Sequence, residues 1–270
     1  MSRAASIGAL RDHIRQIEAP ARHGVLPFGV AAIDHALPGG GLALGAVHEI
    51  IGAGGDEEDC AAASGFAAGI LARLGTGAVL WCLRWPDLYG PGLLAYGLDP
   101  ARLVLVAVRR DDDILWAVEE GLRAPGLAAV LGEVGHLPMV AGRRLQLAAE
   151  RSGVTALLLR RWRSGDEAAS ERTRPSAALT RWRIAALPSI APTLPSPASG
   201  GGSGRGLGIG RPRWRIELLR VRGGVPAVWD GEVADATGHV SLSAALADRP
   251  AAPAEQKPAR RGAEPWRRAG

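Results

Sequence analysis

Lysine is all but missing from this 270-residue chain: Lys257 is the only one, and arginine supplies the rest of the basic charge. A coding genome rich in G and C gives that bias, so the choice of arginine says little about function. Cysteine is almost as scarce. Cys60 and Cys82 are too few for a disulfide framework, and both lie in apolar segments, which points to buried free thiols. The six histidines show no metal-ligand spacing with either cysteine. No run of about eighteen apolar residues occurs, which excludes a helical membrane span. The opening "MSRAASIGALRDHIRQIEAP" carries acids and has no unbroken apolar core, so a secretory signal is not expected. These absences together point to a cytoplasmic protein without membrane contact.

What is present fits an ordinary globular class, with 47% hydrophobic and 22% charged residues. The length allows one large domain or two small ones. A net charge of +5 permits a nucleic-acid partner without requiring one. The basic charge is uneven: residues 1–150 hold 12 arginines against 17 acids, and arginine concentrates from Arg160 onward.

Periodicity divides the chain. "SIGALRDHIRQIE" sets Ile7, Leu10, Ile14 and Ile17 at spacings of three and four, the pattern of a short amphipathic helix that packs on its own domain or docks on a neighbour. From Val47 strands and helices alternate. The strands are "AVHEII", "GAVLWCL", "RLVLVAV", "GLAAVL" and "VTALLLR". Between them lie "CAAASGFAAGILARL", apolar on nearly every face, "DDILWAVEEGLRA", with acids at its N-terminal end, and "VAGRRLQLAAERSG". Such alternation predicts an α/β fold whose central sheet is mostly parallel and flanked by helices. After Arg160 the texture changes. "SGDEAASERTRPSA" is polar and turn-rich, and "ALTRWRIAAL" reads as a strand. A flexible Pro/Gly/Ser insertion follows near 188–210. "RWRIELLRVRGG" and "PAVWDGEVAD" read as strands that extend the sheet in antiparallel fashion. The expected organisation is therefore an N-terminal helix and connector over 1–24, a core over 25–246 and a disordered basic tail over 247–270.

One stretch poses a chemical question. "GGGLALGAVHEIIG" is a Gly-rich turn, an apolar strand and a glycine, the approach to a phosphate-binding loop G-x-x-x-x-G-K-[ST]. Laid on that template from Gly52, the second glycine becomes Glu57, the lysine Glu58 and the hydroxyl residue Asp59. Phosphoryl transfer needs cations around a polyanion. Asp56, Glu57, Glu58 and Asp59 bring the opposite charge. Even at an effective dielectric near 20, like charges about 4 Å apart repel by roughly 4 kcal/mol. The acids suit the positive end of the following helix instead. A Mg²⁺-binding carboxylate cluster is the rival reading.

The frame "IDHALPGGGLALGAVHEIIG" resembles the entry to the RecA core, with Ile33, Asp34, Leu37, Gly39–Leu42, Gly45, Glu49, Ile50 and Gly52 carrying the match. The stretches "SAALTRWRIAALPS" and "GLGIGRPRWRIELLRVRGGVPAVWDGEVADATGHVSL" are similar to a narrower group, the ImuA family of RecA-like inducible-mutagenesis proteins. The RecA resemblance implies that five motor residues are replaced. The lysine falls on Glu58, the Mg²⁺-binding hydroxyl on Asp59, the water-activating Glu on Arg84, the Mg²⁺-organising Asp on Gly132 with Glu133 next, and the sensor Gln on Arg160. The chain is thus expected to turn over no ATP and to hold no cofactor.

The ImuA resemblance implies an adaptor in damage-induced translesion synthesis, partnered by an ImuB-type polymerase homologue, RecA and an error-prone replicative-type polymerase. The alternatives are a DNA-dependent RecA-type recombinase or ATPase and a single-stranded DNA-binding protein. For DNA or partner contact the candidates are Arg172 and Arg174, in the place of RecA's second DNA-binding loop, and the arginines around tryptophan: Arg181, Arg183, Arg211, Arg213 and Arg215. Arginine bonds phosphate and tryptophan stacks on unpaired bases. Plain strand alternation, with Trp182 and Trp214 inward and arginines outward, accounts for the same pattern.

Overall fold

The structure is a computed structural model that describes residues 23–162, 165–190 and 211–242. The amphipathic stretch with Ile7, Leu10, Ile14 and Ile17, most of the 188–210 insertion and the basic tail lie outside those residues. Nine strands form one sheet. Its parallel part contains β3 (Val47–Gly52), β4 (Ala78–Leu83), β5 (Leu103–Ala107), β6 (Leu127–Val134), β7 (Thr155–Arg160) and β8 (Thr180–Ile190). The order across it is β8-β3-β7-β6-β4-β5. Beyond β8 the sheet continues antiparallel through β9 (Arg211–Val221), β10 (Ala227–Glu232) and β11 (Ser241–Leu242). The α/β architecture and the antiparallel extension thus follow the sequence pattern. A separate pair, β1 (Val25–Leu26) with β2 (Leu42–Ala43), flanks the four-residue helix α1 (Ala31–Asp34).

Helix α2 (Asp56–Arg73) covers one face of the sheet. Its apolar character all round is explained by what surrounds it. Phe66 meets Phe28, Trp182 and Trp214 with ring centroids 5.5–6.2 Å apart, and Trp214 stacks on Tyr96. Burial of each such ring contributes on the order of 2–3 kcal/mol. Gly65 makes the close approach possible, because a Cβ there would lie 2.7 Å from Tyr96 Cζ. Helices α3 (Asp111–Arg123) and α4 (Met139–Ser152) cover the other face around Val47, Val130 and Leu158. Three aspartates occupy the first turn of α3, where the helix dipole favours them. Gly153 ends α4 in the left-handed region at φ 81°.

Three details depart from the sequence reading. The polar segment after Arg160 contains a helix, α5 (Gly165–Arg172), with Asp166 and Glu167 in its first turn. Strand β8 reaches Ile190, into the stretch read as insertion. "RLVLVAV", apolar enough for a central strand, forms the sheet edge as β5, and Val104 and Leu105 are about half exposed.

Candidate functional site

The C-terminal ends of parallel strands converge with the N-terminus of the helix after β3, the usual location of a ligand site in such sheets. Here that location is filled from within. Arg161, directly after β7, is only 6% exposed. Its Nε donates to both Asp56 oxygens at 3.1 Å, and Nη2 reaches Asp56 Oδ2 at 2.7 Å. Nη1 donates to Asp87 Oδ1 at 2.9 Å and Glu133 Oε2 at 3.0 Å, while Nη2 also reaches Asp87 Oδ2 at 2.6 Å. Every N–H-bearing nitrogen of the guanidinium therefore faces a carboxylate. The guanidinium also lies over the Trp85 ring, 4.7 Å from its centroid.

The electrostatics follow from this geometry. Burial by itself lowers the Arg161 pKa, but the hydrogen bonds to Asp87 and Asp56 and the charge of Glu133 outweigh it and hold the guanidinium more firmly protonated than usual. The Arg161 hydrogen bond lowers Asp87, against the opposing effect of burial. Burial raises Glu133, although Arg161, Trp81 and the Arg84 amide pull the other way. Burial likewise pushes the nearby Cys60 thiol to about 12, so it is not a nucleophile poised for reaction.

The loop itself is closed by its own acid. Asp59 stands in the hydroxyl position of the phosphate-loop template and is 8% exposed. It accepts the Gly54 amide at 2.6 Å and the Ala186 amide of β8 at 2.8 Å. An amide that a phosphate would bind is thus satisfied internally, and the same carboxylate ties the loop to β8. Gly52 leaves room for this turn, since a Cβ there would lie 3.1 Å from Asp59 Cβ. The backbone at Glu57 and Glu58 is the first turn of α2, and their side chains lie outside the described residues. A nucleotide triphosphate and its Mg²⁺ do not fit this arrangement. The polyanion would meet Asp56, Asp59, Asp87 and Glu133, and the central cation is already engaged by three carboxylates.

The sequence register needs one correction. Gly132 does not face the site: a Cβ there would lie 2.6 Å from Val118 Cγ2 of α3. Adjacent strand residues point to opposite faces, so Glu133 is the acid that reaches the site. The acid position is therefore occupied, one residue later, and bound by Arg161. Arg84 extends to Asp111 Oδ1 at 2.7 Å. Asp111 also accepts the amides of Gly135 and His136, which fixes the turn after β6.

A second charged cluster lies beside the first. Glu49 of β3 is fully buried. It accepts from Arg181 Nε at 2.9 Å, Arg160 Nη1 at 3.4 Å and the Ser176 hydroxyl. Arg160, in the sensor position, also reaches Glu171 at 2.9 Å and the Gly135 carbonyl at 2.7 Å. This cluster pins α5 and the following turn to the sheet.

The remaining contact candidates separate by strand face. Trp182 and Trp214 are buried in the aromatic core, as alternation alone implies. Arg181 is buried on Glu49, which removes it from contact with a ligand. Arg183 pairs with Glu217, and Arg215 with Asp230 at 2.8 Å. Arg213 lies opposite Glu232 in the β9–β10 register. These arginines form a cross-strand ladder on the outer face of the extension. Arg174 is exposed and pairs with Glu171 at 3.0 Å. Arg172 ends α5 and Arg211 begins β9, with side chains outside the described residues. Arg161 is not among the residues the sequence singles out; its signal is an arginine at a parallel strand's C-terminal end in a chain with acids at the loop. Among the described residues, no helix is long and apolar enough to cross a membrane.

No family model matches the chain. Two curated relatives, both named Protein ImuA and both from Caulobacter vibrioides (strains NA1000 / CB15N and ATCC 19089 / CIP 103742 / CB 15), are each 40% identical over 241 residues. The aligned region covers 86% of this chain and 93% of each relative. That identity over that span agrees with the motifs quoted above, and the chain belongs to the ImuA family of inducible-mutagenesis proteins.

Proposed function

We propose that the protein is a non-catalytic RecA-like adaptor in damage-induced translesion synthesis. In this reading it bridges an ImuB-type polymerase homologue, RecA and an error-prone replicative-type polymerase at the nucleoid. One observation carries it: Arg161, engaged by Asp56, Asp87 and Glu133, fills the place where a motor of this architecture holds nucleotide. A fold kept intact around an internally neutralised site has surfaces to offer rather than turnover. Family membership supports the pathway, and the closed loop supports the absence of catalysis.

Two experiments test the halves separately. Purified protein in excess over labelled ATP is expected to retain none of it in equilibrium dialysis, with or without single-stranded DNA. ATP hydrolysis abolished by Asp59→Ala would return the chain to the motor class. For the adaptor half, tagged protein is recovered from DNA-damaged cells and its companions are identified by mass spectrometry. A polymerase-like partner and RecA retained after nuclease treatment support bridging. Recovery of nothing but nuclease-sensitive DNA proteins overturns it in favour of a DNA-binding module.

A further inference from the structure

Away from the closed loop, a groove of about 830 Å³ opens between α4, the turn after α5 and the end of β9. Its helical wall is a single stripe: Met139, Arg143, Gln146, Leu147 and Glu150 recur at spacings of three and four. The eleven helical steps from Met139 to Glu150 give a stripe about 17 Å long. The opposite wall carries Leu219, Arg220 and Arg222.

Two of the arginines that line this groove, Arg174 and Arg181, are matched by Glu171 and Glu49, and the other three are not matched by acid among the described residues. Arg143 and Arg222 are exposed and have no carboxylate within ion-pair distance among the described residues. Arg220 donates to the Ser176 carbonyl, a neutral partner. Glu150, the one acid among the described residues of the groove, accepts from Gln146 Nε2 at 2.9 Å. By contrast, the ladder a few residues away matches arginine with acid across the strands. Between the unmatched arginines lies aliphatic surface. Leu147 is 53% exposed and Leu219 37%.

From this combination we infer that the groove is the docking site for an acidic peptide segment of a protein partner, one with aliphatic side chains at helical spacing. Carboxylates on such a segment complement Arg143, Arg220 and Arg222. Its aliphatic side chains cover Leu147 and Leu219, as in helix-in-groove recognition. Single-stranded nucleic acid shares the charge but not the remaining chemistry. It needs rings on which bases stack, and among the described residues no aromatic side chain lines the groove. The inference rests on the adaptor reading and assigns one of its surfaces.

The test uses the full-length protein and a fluorescein-labelled 14-residue peptide, two repeats of Glu-Leu-Glu-Asp-Leu-Leu-Glu, followed by fluorescence anisotropy. Its controls are the same peptide with Gln and Asn for every acid, and a twenty-residue oligothymidylate. The acidic peptide is expected to bind at least tenfold more tightly than the neutral one and more tightly than the oligonucleotide. R143E/R222E should weaken it at least tenfold, L147S about threefold, and the charge-matched surface variant R109E/R110E less than twofold. Equal losses in R143E/R222E and R109E/R110E would reduce the binding to general electrostatics and overturn the inference. So would no binding of the acidic peptide, or oligonucleotide binding that is tighter and lost in R143E/R222E. Circular dichroism of each variant identifies any loss that comes from unfolding. The recovery experiment distinguishes the two readings. If R143E/R222E keeps every partner of the parent protein, the groove is not the docking site and bridging stands. If the parent recovers none, bridging itself fails.

Discussion

Two arginine–tryptophan stretches of nearly the same composition have opposite fates. In "RRWR" the chain leaves β7 at the C-terminal end of the sheet, and Arg160, Arg161 and Trp162 are buried. In "RWRI", both within β8 and within β9, the strand's period of two sends tryptophan into the core, and Arg183 and Arg215 onto a wet surface. The same residue types thus serve as an internal counter-ion in one place and as a rim in the other. The difference is the dielectric around the guanidinium, and it governs how much each substitution costs.

The largest expected effect comes from the buried arginine. Arg161→Ala leaves Glu133 and Asp56 without their cation, and removal of one partner from a buried charge cluster costs about 3–5 kcal/mol. Urea unfolding at pH 7 measures it. Adding Glu133→Gln should recover part of the loss, because one uncompensated carboxylate is gone; a fully additive double variant would break the proposed coupling. Next is the tryptophan of the other motif. Trp182→Ala opens a cavity among Phe28, Phe66 and Trp229 and should cost about 3–5 kcal/mol, with a cooperative but earlier thermal transition.

His48 gives an effect of intermediate size with a pH signature. Its Nε2 donates to the Ala43 carbonyl at 2.8 Å, which leaves Nδ1 to accept from the Thr180 hydroxyl at 2.7 Å. Thr180 in turn accepts from Trp182 Nε1 at 2.8 Å, so the chain of donors requires a neutral imidazole. Burial lowers His48 from 6.5 to about 4, against the Ala43 hydrogen bond. The folded state then binds fewer protons than the unfolded state between those values. Stability from this residue is complete above pH 6.5 and declines by roughly 3 kcal/mol as pH falls towards 4. The loss of urea stability between pH 7 and 4.5 should be smaller in His48→Gln than in the parent. The smallest effect belongs to the ladder. Arg215→Ala, on a side chain 45% exposed, should cost about 0.2–1 kcal/mol and less at high salt. A loss as large as that of Arg161→Ala would erase the contrast between the two stretches.

The legible parts of the sequence were those with long-range consistency. Five apolar strands alternating with helices announced the parallel sheet, and Gly153 announced the end of α4. The acids at 56–59 announced a carboxylate-rich turn at the start of α2. The partner of those acids stayed hidden, because Arg161 lies about a hundred residues away and only sheet closure brings it to Asp56. Register was equally hidden. Whether Gly132 or Glu133 faces the loop depends on a one-residue phase that apolar periodicity does not define at a strand's end. Helix α5 was obscured by its polarity, since its one buried described residue, Glu171, is held by ions rather than by apolar contact.

Asp59 also bears on history. Its two oxygens join the loop amide of Gly54 to Ala186 of β8. A threonine at 59 would offer one hydroxyl oxygen where the carboxylate places a separate oxygen on each amide, so one of these part-buried hydrogen bonds would be lost at about 1 kcal/mol. The step back towards a phosphate-loop residue at 59 therefore loses stability before it gains a ligand, which makes the present arrangement a ratchet against return.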